Sequence, residues 1–158
     1  MCGIAGIVSS SKDIDIEKTA NIMAQEIINR GPDSHGLFST NIHKNNIAIT
    51  HRRLSILDLS ERGNQPMISK NKRFVIAFNG EIYNHKFIKR KIDNIKEVKW
   101  EGNSDTEILL ESISIFGIRK TLSIAVGMFA ISLLDKQEER LYLLRDRFGE
   151  KPLYYGLI

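Results

Sequence analysis

The sequence of 158 residues lacks the features that mark membrane, secreted and disulfide-linked proteins. Its single cysteine excludes an internal disulfide. No segment approaches the roughly 18 consecutive apolar residues that a membrane helix needs. Residues 1–8 have neither the basic start nor the long apolar stretch of a secretory signal. We therefore expect a cytoplasmic protein with no membrane partner.

Positive charge is concentrated in one segment of the chain. Residues 86–100 hold six basic and two acidic side chains, which accounts for the whole net charge of +4. The cations alternate with Phe87, Ile88, Ile92 and Ile95 at near-helical spacing, which predicts the solvated face of an amphipathic helix. The alternative is a nucleic-acid surface, but no basic-aromatic stacking pattern supports it. We expect no nucleic-acid partner.

Apolar periodicity predicts one domain of α+β layers. A chain of this length with 42% hydrophobic residues can bury one substantial core. Strands are predicted at 3–8, 73–78, 128–134 and 140–144, with two or three across 35–57 around a turn at 40–46, and another beginning at 153–155. Two principal helices are predicted, one after a cap at Asp13 or Asp15 and ending before Gly31-Pro32, the other from a capping box at Ser104 to Gly117.

The position of the only cysteine suggests a nucleophile. Cys2 becomes the first residue if the initiator Met1 is removed, and its thiol then lies beside its own α-amine. That amine has a pKa of about 7.7 to 8.0 and can act as a general base near neutral pH. The alternative is an incidental cysteine near the start of the chain, and position alone does not decide between the two.

Other residue types could complete a site for acyl transfer on an amino acid. Asn79-Gly80, predicted to end a strand with positive φ, offers a side-chain amide and an unhindered backbone N–H to an oxyanion. Arg53 could pair with a substrate carboxylate, and Asp105 or Glu81 with an ammonium group. The alternatives are a hairpin turn at Asn79-Gly80, surface charges, and a first-turn acid that favours the helix dipole at Asp105.

Eight motifs in a fixed order decide between the catalytic and the structural interpretations of these residues. They are MCGIAG at 1–6, RGPDS at 30–34, HRRLSILD at 51–58, QPM at 65–67, FNGEIYNH at 78–85, SDTE at 104–107, GMFA at 127–130 and RDRFGEKPLYY at 145–155. Together they closely resemble the glutaminase domain of glutamine-hydrolysing asparagine synthetases. The resemblance runs from Met1 to Gly156.

The resemblance implies a fold and a catalytic apparatus. The implied fold is a four-layer α/β/β/α sandwich, with two antiparallel sheets between helices, as in N-terminal-nucleophile hydrolases. Cys2 matches the nucleophile, and Asn79 and Gly80 match the oxyanion hole. The implied reaction is hydrolysis of glutamine to glutamate and ammonia through a Cys2 thioester.

The resemblance also implies a set of substrate contacts. Arg53 matches the ligand of the glutamine carboxylate, while Glu81 and Asp105 match positions that face the α-amino group. One wall of the pocket is implied by Leu54, Ser55, Ile56 and Leu57. The four histidines, His35, His43, His51 and His85, show no metal-binding spacing, so neither a metal nor another cofactor is expected for this half-reaction.

The synthetase half of this family is not represented in the sequence. We therefore expect residues 1–158 to form a class II glutamine amidotransferase domain that lacks its C-terminal edge and the synthetase domain that uses ATP and Mg²⁺. Three origins of the chain remain open: a fragment, a separate subunit working with an asparagine synthetase chain, and a gene remnant. A homodimer is also left open. The functional alternatives are a non-catalytic glutamine sensor and an amidotransferase for an acceptor other than aspartate.

Overall fold

A computed structural model describes residues 2–54 and 61–157 of the chain. The strands are β1 (Gly3–Ser9), β2 (Ser34–Ile42), β3 (Asn45–Arg53), β4 (Met67–Ile68), β5 (Phe74–Ile82), β6 (Gly127–Asp135) and β7 (Arg140–Arg145). The helices are α1 (Ile16–Glu26), α2 (His85–Asp93), α3 (Asp105–Phe116) and α4 (Ile118–Ile124). Short 3-10 helices lie at Ile28–Arg30 and Glu61–Gly63.

The strands form two antiparallel sheets. The first has the order β1-β3-β2, and the second has the order β4-β5-β6-β7. The sheets face each other through β1 and β3 on one side and β5 on the other. Helix α1 covers the first sheet, while α3 packs on β5 and carries α2 and α4 beside it. This arrangement confirms the predicted α/β/β/α layers.

Local sequence signals explain where the main helices begin and end. The Asp15 carboxylate accepts the Lys18 N–H at 3.0 Å and caps α1. Ser104 caps α3 by accepting the Glu107 N–H at 3.2 Å, and Gly117 ends that helix with φ of +81°. The predicted capping box is only half formed, because the Glu107 carboxylate accepts the N–H groups of Glu101 and Gly102 instead.

The structure corrects the predictions of a turn at 40–46 and of a strand from Leu153. The turn predicted at 40–46 is confined to the two residues between β2 and β3, with His43 at φ of +52°. The strand predicted from Leu153 is wrong, since residues 153–157 adopt no regular structure. Tyr154 and Tyr155 are 91% and 86% exposed there.

The core has two parts that follow the layers. The larger part lies between the second sheet and its helices and includes Ile76, Ile88, Leu109 and Ile131. The smaller part fills the space between the sheets, where Ile49 meets Val75, Ala77 and Leu134. The predicted amphipathic segment is confirmed as α2, whose Ile88 and Ile92 are buried while Phe87 and the following Ile95 are largely exposed.

Candidate active site

The space between the two sheets changes from apolar to polar toward one end. Alternate residues of a strand share one face of its sheet. The residues on the facing sides are Ile47, Ile49, His51 and Arg53 of β3, and Val75, Ala77 and Asn79 of β5. The apolar members of both series pack together, and the polar members follow as the strands approach the end of the layer. The sandwich therefore opens at this end into a cavity whose lining includes polar and charged side chains.

The predicted site residues that the structure describes all line this cavity of about 180 Å³. They are Cys2, Arg53, Leu54, Asn79, Gly80, Glu81 and Asp105. Ser55, Ile56 and Leu57, the rest of the predicted wall, lie outside the described residues. Residues separated by up to 103 positions in sequence thus converge on one space.

The register of the first sheet places Cys2 at the cavity. Gly3 pairs with Arg52, so Cys2 stands one step further along, beside Arg53 and Leu54. The Cys2 Sγ lies 3.8 Å from the Leu54 carbonyl oxygen, and the Cys2 carbonyl accepts a hydrogen bond from Arg30 Nη2 at 3.5 Å. The thiol is half-buried. It is therefore held at the cavity while remaining open to a ligand.

Arg53 is a buried cation at the end of β3, and its guanidinium is packed from two sides. Its Nη1 donates to Asn64 Oδ1 at 3.0 Å. Gly63 lies against the same group, and a Cβ at that position would stand 2.2 Å from Arg53 Nη2. The lack of a side chain at Gly63 is therefore what lets the guanidinium occupy this place. A cation held in this way can bind a carboxylate with little loss of side-chain entropy.

Asn79 and Gly80 lie inside a strand, which corrects the prediction of a strand end or turn. Strand β5 continues to Ile82, with Asn79 opposite Ala130 and Gly80 opposite Phe129. The described glycines with positive φ are Gly117 and Gly149, so Gly80 is not required for an unusual φ. Glycine is required here because β5 and β6 approach each other closely: a Cβ on Gly80 would lie 2.1 Å from the Met128 carbonyl oxygen.

The hydrogen-bond pattern of β6 shows which way the Gly80 N–H points. In an antiparallel strand, the N–H and C=O of one residue face the same neighbour. Phe129 uses both groups toward β7, donating to Asp146 Oδ2 at 3.1 Å and accepting from the Asp146 N–H at 2.9 Å. The Gly80–Phe129 pair is therefore not hydrogen-bonded, and the Gly80 N–H faces the opposite edge of β5, next to the cavity.

Side chains satisfy the N–H groups on either side of Gly80 along that edge. The Phe78 N–H donates to Gln65 Oε1 at 2.6 Å. The Ile82 N–H donates to Asp105 Oδ2 at 2.8 Å. The Gly80 N–H lies between these two anchored positions and beside the Asn79 side chain. The Asn79 side-chain amide and the Gly80 N–H can therefore both donate to a negatively charged oxygen that develops in the cavity.

The two predicted acidic residues differ in environment. Asp105 is 6% exposed, whereas Glu81 is exposed at the rim. Burial raises the pKa of Asp105, and its hydrogen bond from the Ile82 N–H acts in the opposite direction. Because a buried carboxylate is stabilised by any cation that reaches it, Asp105 is a favourable partner for an ammonium group.

The structure adds cavity residues that sequence reasoning left without a role. They are Gly63, Gln65, Phe78, Ser104, Thr106, Met128 and Lys151. Lys151 reaches the cavity from a loop that is folded around the Asp146 carboxylate, which accepts N–H groups of Phe148, Glu150 and Lys151. Most of these residues stand in or next to the ordered motifs. Their residue types alone did not distinguish them from similar residues elsewhere in the chain.

Two negative findings apply to the described residues. Within residues 2–54 and 61–157, no group of three or more His, Cys, Asp or Glu side chains is placed to hold a metal ion. None of the helices in these ranges is long and apolar enough to cross a membrane.

Comparison with known proteins gives consistent matches over the whole chain. Residues 1–158 match the model of a glutamine amidotransferase domain. A putative glutamine-hydrolysing asparagine synthetase 2 of Methanocaldococcus jannaschii is 36% identical over 98% of this chain and 32% of its own length. Asparagine synthetase 1 of Bacillus subtilis is 37% identical over 100% of this chain and 24% of its own length. Asparagine synthetase B of Escherichia coli is 32% identical over 99% of this chain and 27% of its own length.

The chain therefore spans about a quarter to a third of the length of these relatives. Among solved structures, the B. subtilis glutamine phosphoribosylpyrophosphate amidotransferase complexed with ADP and GMP has a TM-score of 0.68. That match covers 84% of this chain and 35% of the other, with 18% sequence identity. At this identity, the similarity supports the fold.

Proposed function

The chain belongs to the glutamine amidotransferase domain family, and from that premise we propose that it hydrolyses glutamine to glutamate and ammonia through a thioester on Cys2. The observation that carries the proposal is the convergence of Cys2, Arg53, Asn79, Gly80 and Asp105 on one cavity. These residues supply a nucleophile, a cation, two oxyanion donors and an anion. Glutamine requires this set if its side-chain amide is to be cleaved while its α-carboxylate and α-ammonium groups are bound.

The first step uses Cys2 after removal of Met1. The free α-amine of Cys2 accepts the thiol proton, and the thiolate attacks the side-chain carbonyl carbon of glutamine. The C–S bond forms as the carbonyl π electrons move onto oxygen. Asn79 and the Gly80 N–H stabilise that oxyanion, which is the charge that develops in the transition state.

The second half of the reaction releases both products. The oxyanion collapses, the C–N bond breaks, and the α-ammonium of Cys2 returns its proton to the leaving nitrogen, so that ammonia departs and a thioester remains. Water then adds to the thioester with the α-amine as base. The C–S bond breaks, glutamate leaves and the Cys2 thiol is restored.

Substrate binding is assigned to the charged residues of the cavity. Arg53 binds the α-carboxylate of glutamine, and Asp105, with Glu81 at the rim, binds the α-ammonium group. Leu54 contributes its backbone to the wall beside Cys2, as its carbonyl contact with the thiol suggests. The predicted contributions of Ser55, Ile56 and Leu57 remain part of this proposal.

The wider role that we propose is delivery of ammonia to a synthetase. Relatives named as asparagine synthetases support an ATP-dependent partner domain or subunit that amidates aspartate. ATP and Mg²⁺ would serve that partner, whereas Cys2, its amine and the oxyanion donors supply every step of glutamine hydrolysis. We place this activity in the cytoplasm. A different acid as acceptor would leave the chemistry at Cys2 unchanged.

The proposal is tested with the purified chain. Mass spectrometry should show that Met1 is absent, and incubation with glutamine should yield equal amounts of glutamate and ammonia. Cys2→Ala should abolish both products, and Asn79→Ala should lower kcat on the order of 10²-fold through loss of an oxyanion donor. Glutamate production that survives Cys2→Ala would rule out the proposed mechanism.

A further inference from the structure

His51 is a buried polar residue for which the proposed reaction has no use. It lies on β3, directly behind Arg53, and is 1% exposed. Its Nε2 is 3.2 Å from the Phe78 carbonyl oxygen. Because a carbonyl only accepts hydrogen bonds, Nε2 carries the proton of the ring. Nδ1 is then unprotonated, and it is the buried side-chain nitrogen or oxygen in the described ranges that has no hydrogen-bond partner.

The ring is neutral under ordinary conditions. Burial is the main cause that lowers the pKa of His51 to about 4; the bond to Phe78 opposes this shift, and the nearby Arg53 and His35 add to it. A neutral imidazole has a single N–H donor, and here that donor is committed to Phe78. His51 therefore holds a fixed tautomer across the gap between the two sheets.

Gln65 fixes the other polar group of Phe78. Its Oε1 accepts the Phe78 N–H, and its Nε2 donates to Thr106 Oγ1 at 3.3 Å near the start of α3. Strand β4 cannot perform this task, because its pairs with β5 are Met67 with Ile76 and Ile68 with Val75. Beyond Ile76, side chains therefore hold the edge of β5: Gln65, from the loop before β4, accepts the Phe78 N–H, and Asp105 of α3 accepts the Ile82 N–H.

We propose that His51 and Gln65 are positioning residues that hold the Phe78 peptide groups and thereby aim Asn79 and Gly80 at the substrate oxyanion. The inference rests on the proposed glutamine hydrolysis. Asn79 follows Phe78 directly, and the bond from His51 is made to the carbonyl of the Phe78–Asn79 peptide unit. Since oxyanion donors act through their distance to the developing charge, a shift of this segment lowers kcat and leaves glutamine binding by Arg53 intact.

The kinetic test compares three substitutions on neighbouring positions of β3. His51→Gln keeps an N–H donor at the same distance from the backbone, and we expect kcat within about threefold of the parent chain. His51→Phe fills the space without a donor and should lower kcat on the order of 10- to 10²-fold, with KM within about twofold. The control is Thr50→Val on the opposite face of β3, which removes the hydroxyl that donates to the Gly36 carbonyl at 2.9 Å and lies 3.0 Å from His35 Nε2. It should lower Tm but not kcat.

The outcomes separate this inference from the proposed function. Glutamate production by Cys2→Ala would rule out the proposed function. Normal kcat in His51→Phe, or an equal loss of kcat in Thr50→Val, would overturn the positioning role while leaving that function in place. If His51→Phe does not fold, Gln65→Met takes its place, because it removes the acceptor of the Phe78 N–H and should show the same split between kcat and KM.

A second readout does not depend on turnover. Amide hydrogen exchange at Phe78, Asn79 and Gly80 should be faster in His51→Phe and Gln65→Met than in Thr50→Val. The comparison is made under conditions in which the variants have the same free energy of unfolding. Restoration of slow exchange in His51→Gln supports the role of the N–H donor. Exchange at these amides that is the same in all variants overturns the proposal even if the chain shows no glutaminase activity.

Discussion

Two neighbouring arginines show how position gives a residue its role. Arg52 and Arg53 are equally buried, with 7% of each exposed. Arg52 turns toward α1, where its Nε donates to the Ala24 carbonyl at 2.9 Å. Arg53 turns toward the second sheet and the cavity. Strand alternation therefore assigns one cation to the scaffold and the other to the site.

This pair provides a matched test of substrate binding. Arg53→Ala should raise the KM for glutamine at least 10-fold, because loss of a charge-assisted carboxylate contact weakens binding throughout the reaction. Arg52→Ala should lower Tm and leave KM unchanged. Steady-state kinetics on both variants, with circular dichroism to confirm folding, checks the prediction. An equal KM for the two variants would show that Arg53 has no special contact with glutamine.

His51 also predicts how stability changes with pH. Its pKa is about 4 in the folded chain and about 6.5 when unfolded. Between these values the unfolded chain binds more protons, so the free energy of unfolding should decrease as pH falls from 6.5 to 4, by about 3 kcal/mol from this residue. Above pH 6.5 the effect is absent.

Urea unfolding of the parent chain and His51→Gln across this pH range isolates that contribution. The carboxylates titrate similarly in both chains, so the difference between the two curves reports His51. We expect the two curves to run parallel above pH 7 and the His51 chain to lose more stability than His51→Gln below pH 6. Parallel curves at all pH values would mean that His51 is not buried in its neutral form.

At the scale of elements, the pairing of β5 with β6 determines the geometry of the oxyanion donors. A Cβ on Gly80 would meet the Met128 carbonyl oxygen at 2.1 Å and the Phe129 Cα at 2.7 Å, and both belong to the backbone of β6. Backbone atoms within a strand ladder cannot move away as a flexible side chain can. The close approach of the two strands therefore excludes any larger residue at position 80.

Gly80→Ala should accordingly lower the free energy of unfolding by about 1–3 kcal/mol, as expected for overpacking against a rigid neighbour. Gly156→Ala is the control, because a Cβ there would meet nothing within 4 Å. Thermal unfolding of the two variants should show a lower Tm for the first and no change for the second. A stable Gly80→Ala chain would show that the strands can separate at this point.

At the scale of the whole molecule, one terminal segment leaves aromatic surface in contact with solvent. Tyr154, Tyr155 and Leu157 are among the most exposed large apolar side chains of the described residues, and Phe148 in the preceding loop is 89% exposed. Exposed apolar surface of this kind favours association with another protein surface. The homodimer considered from the sequence is one such association and remains a proposal.

We expect the 158-residue chain to self-associate as its concentration rises. Tyr154→Ser combined with Tyr155→Ser should shift the association to higher concentration, measured by sedimentation velocity, without changing glutaminase kcat. The same double substitution at Ile14 and Ile22, which are also exposed at 40% and 54%, serves as a control for general surface polarity. A chain that is monomeric at all concentrations would contradict the prediction.

The sequence by itself determined the features that depend on neighbouring residues. Residue type, helical spacing, caps and turn residues predicted β1, α1, α3 and the β6–β7 hairpin, because these signals act within a few positions. The ordered motifs indicated the family, and they contain the predicted site residues Cys2, Arg53, Asn79 and Asp105. The structure then placed these four residues around one cavity.

Tertiary structure alone decided what depends on distant partners. Asn79-Gly80 has the composition of a turn, but pairing with Ala130 and Phe129 extends the strand through it. Tyr154 and Tyr155 have the composition of a strand, but no described strand pairs with them. The anchoring of Phe78 by His51 and Gln65 joins β5 to β3 and to the loop that precedes β4. Contacts of this kind depend on how sheets and helices pack, which local propensity does not encode.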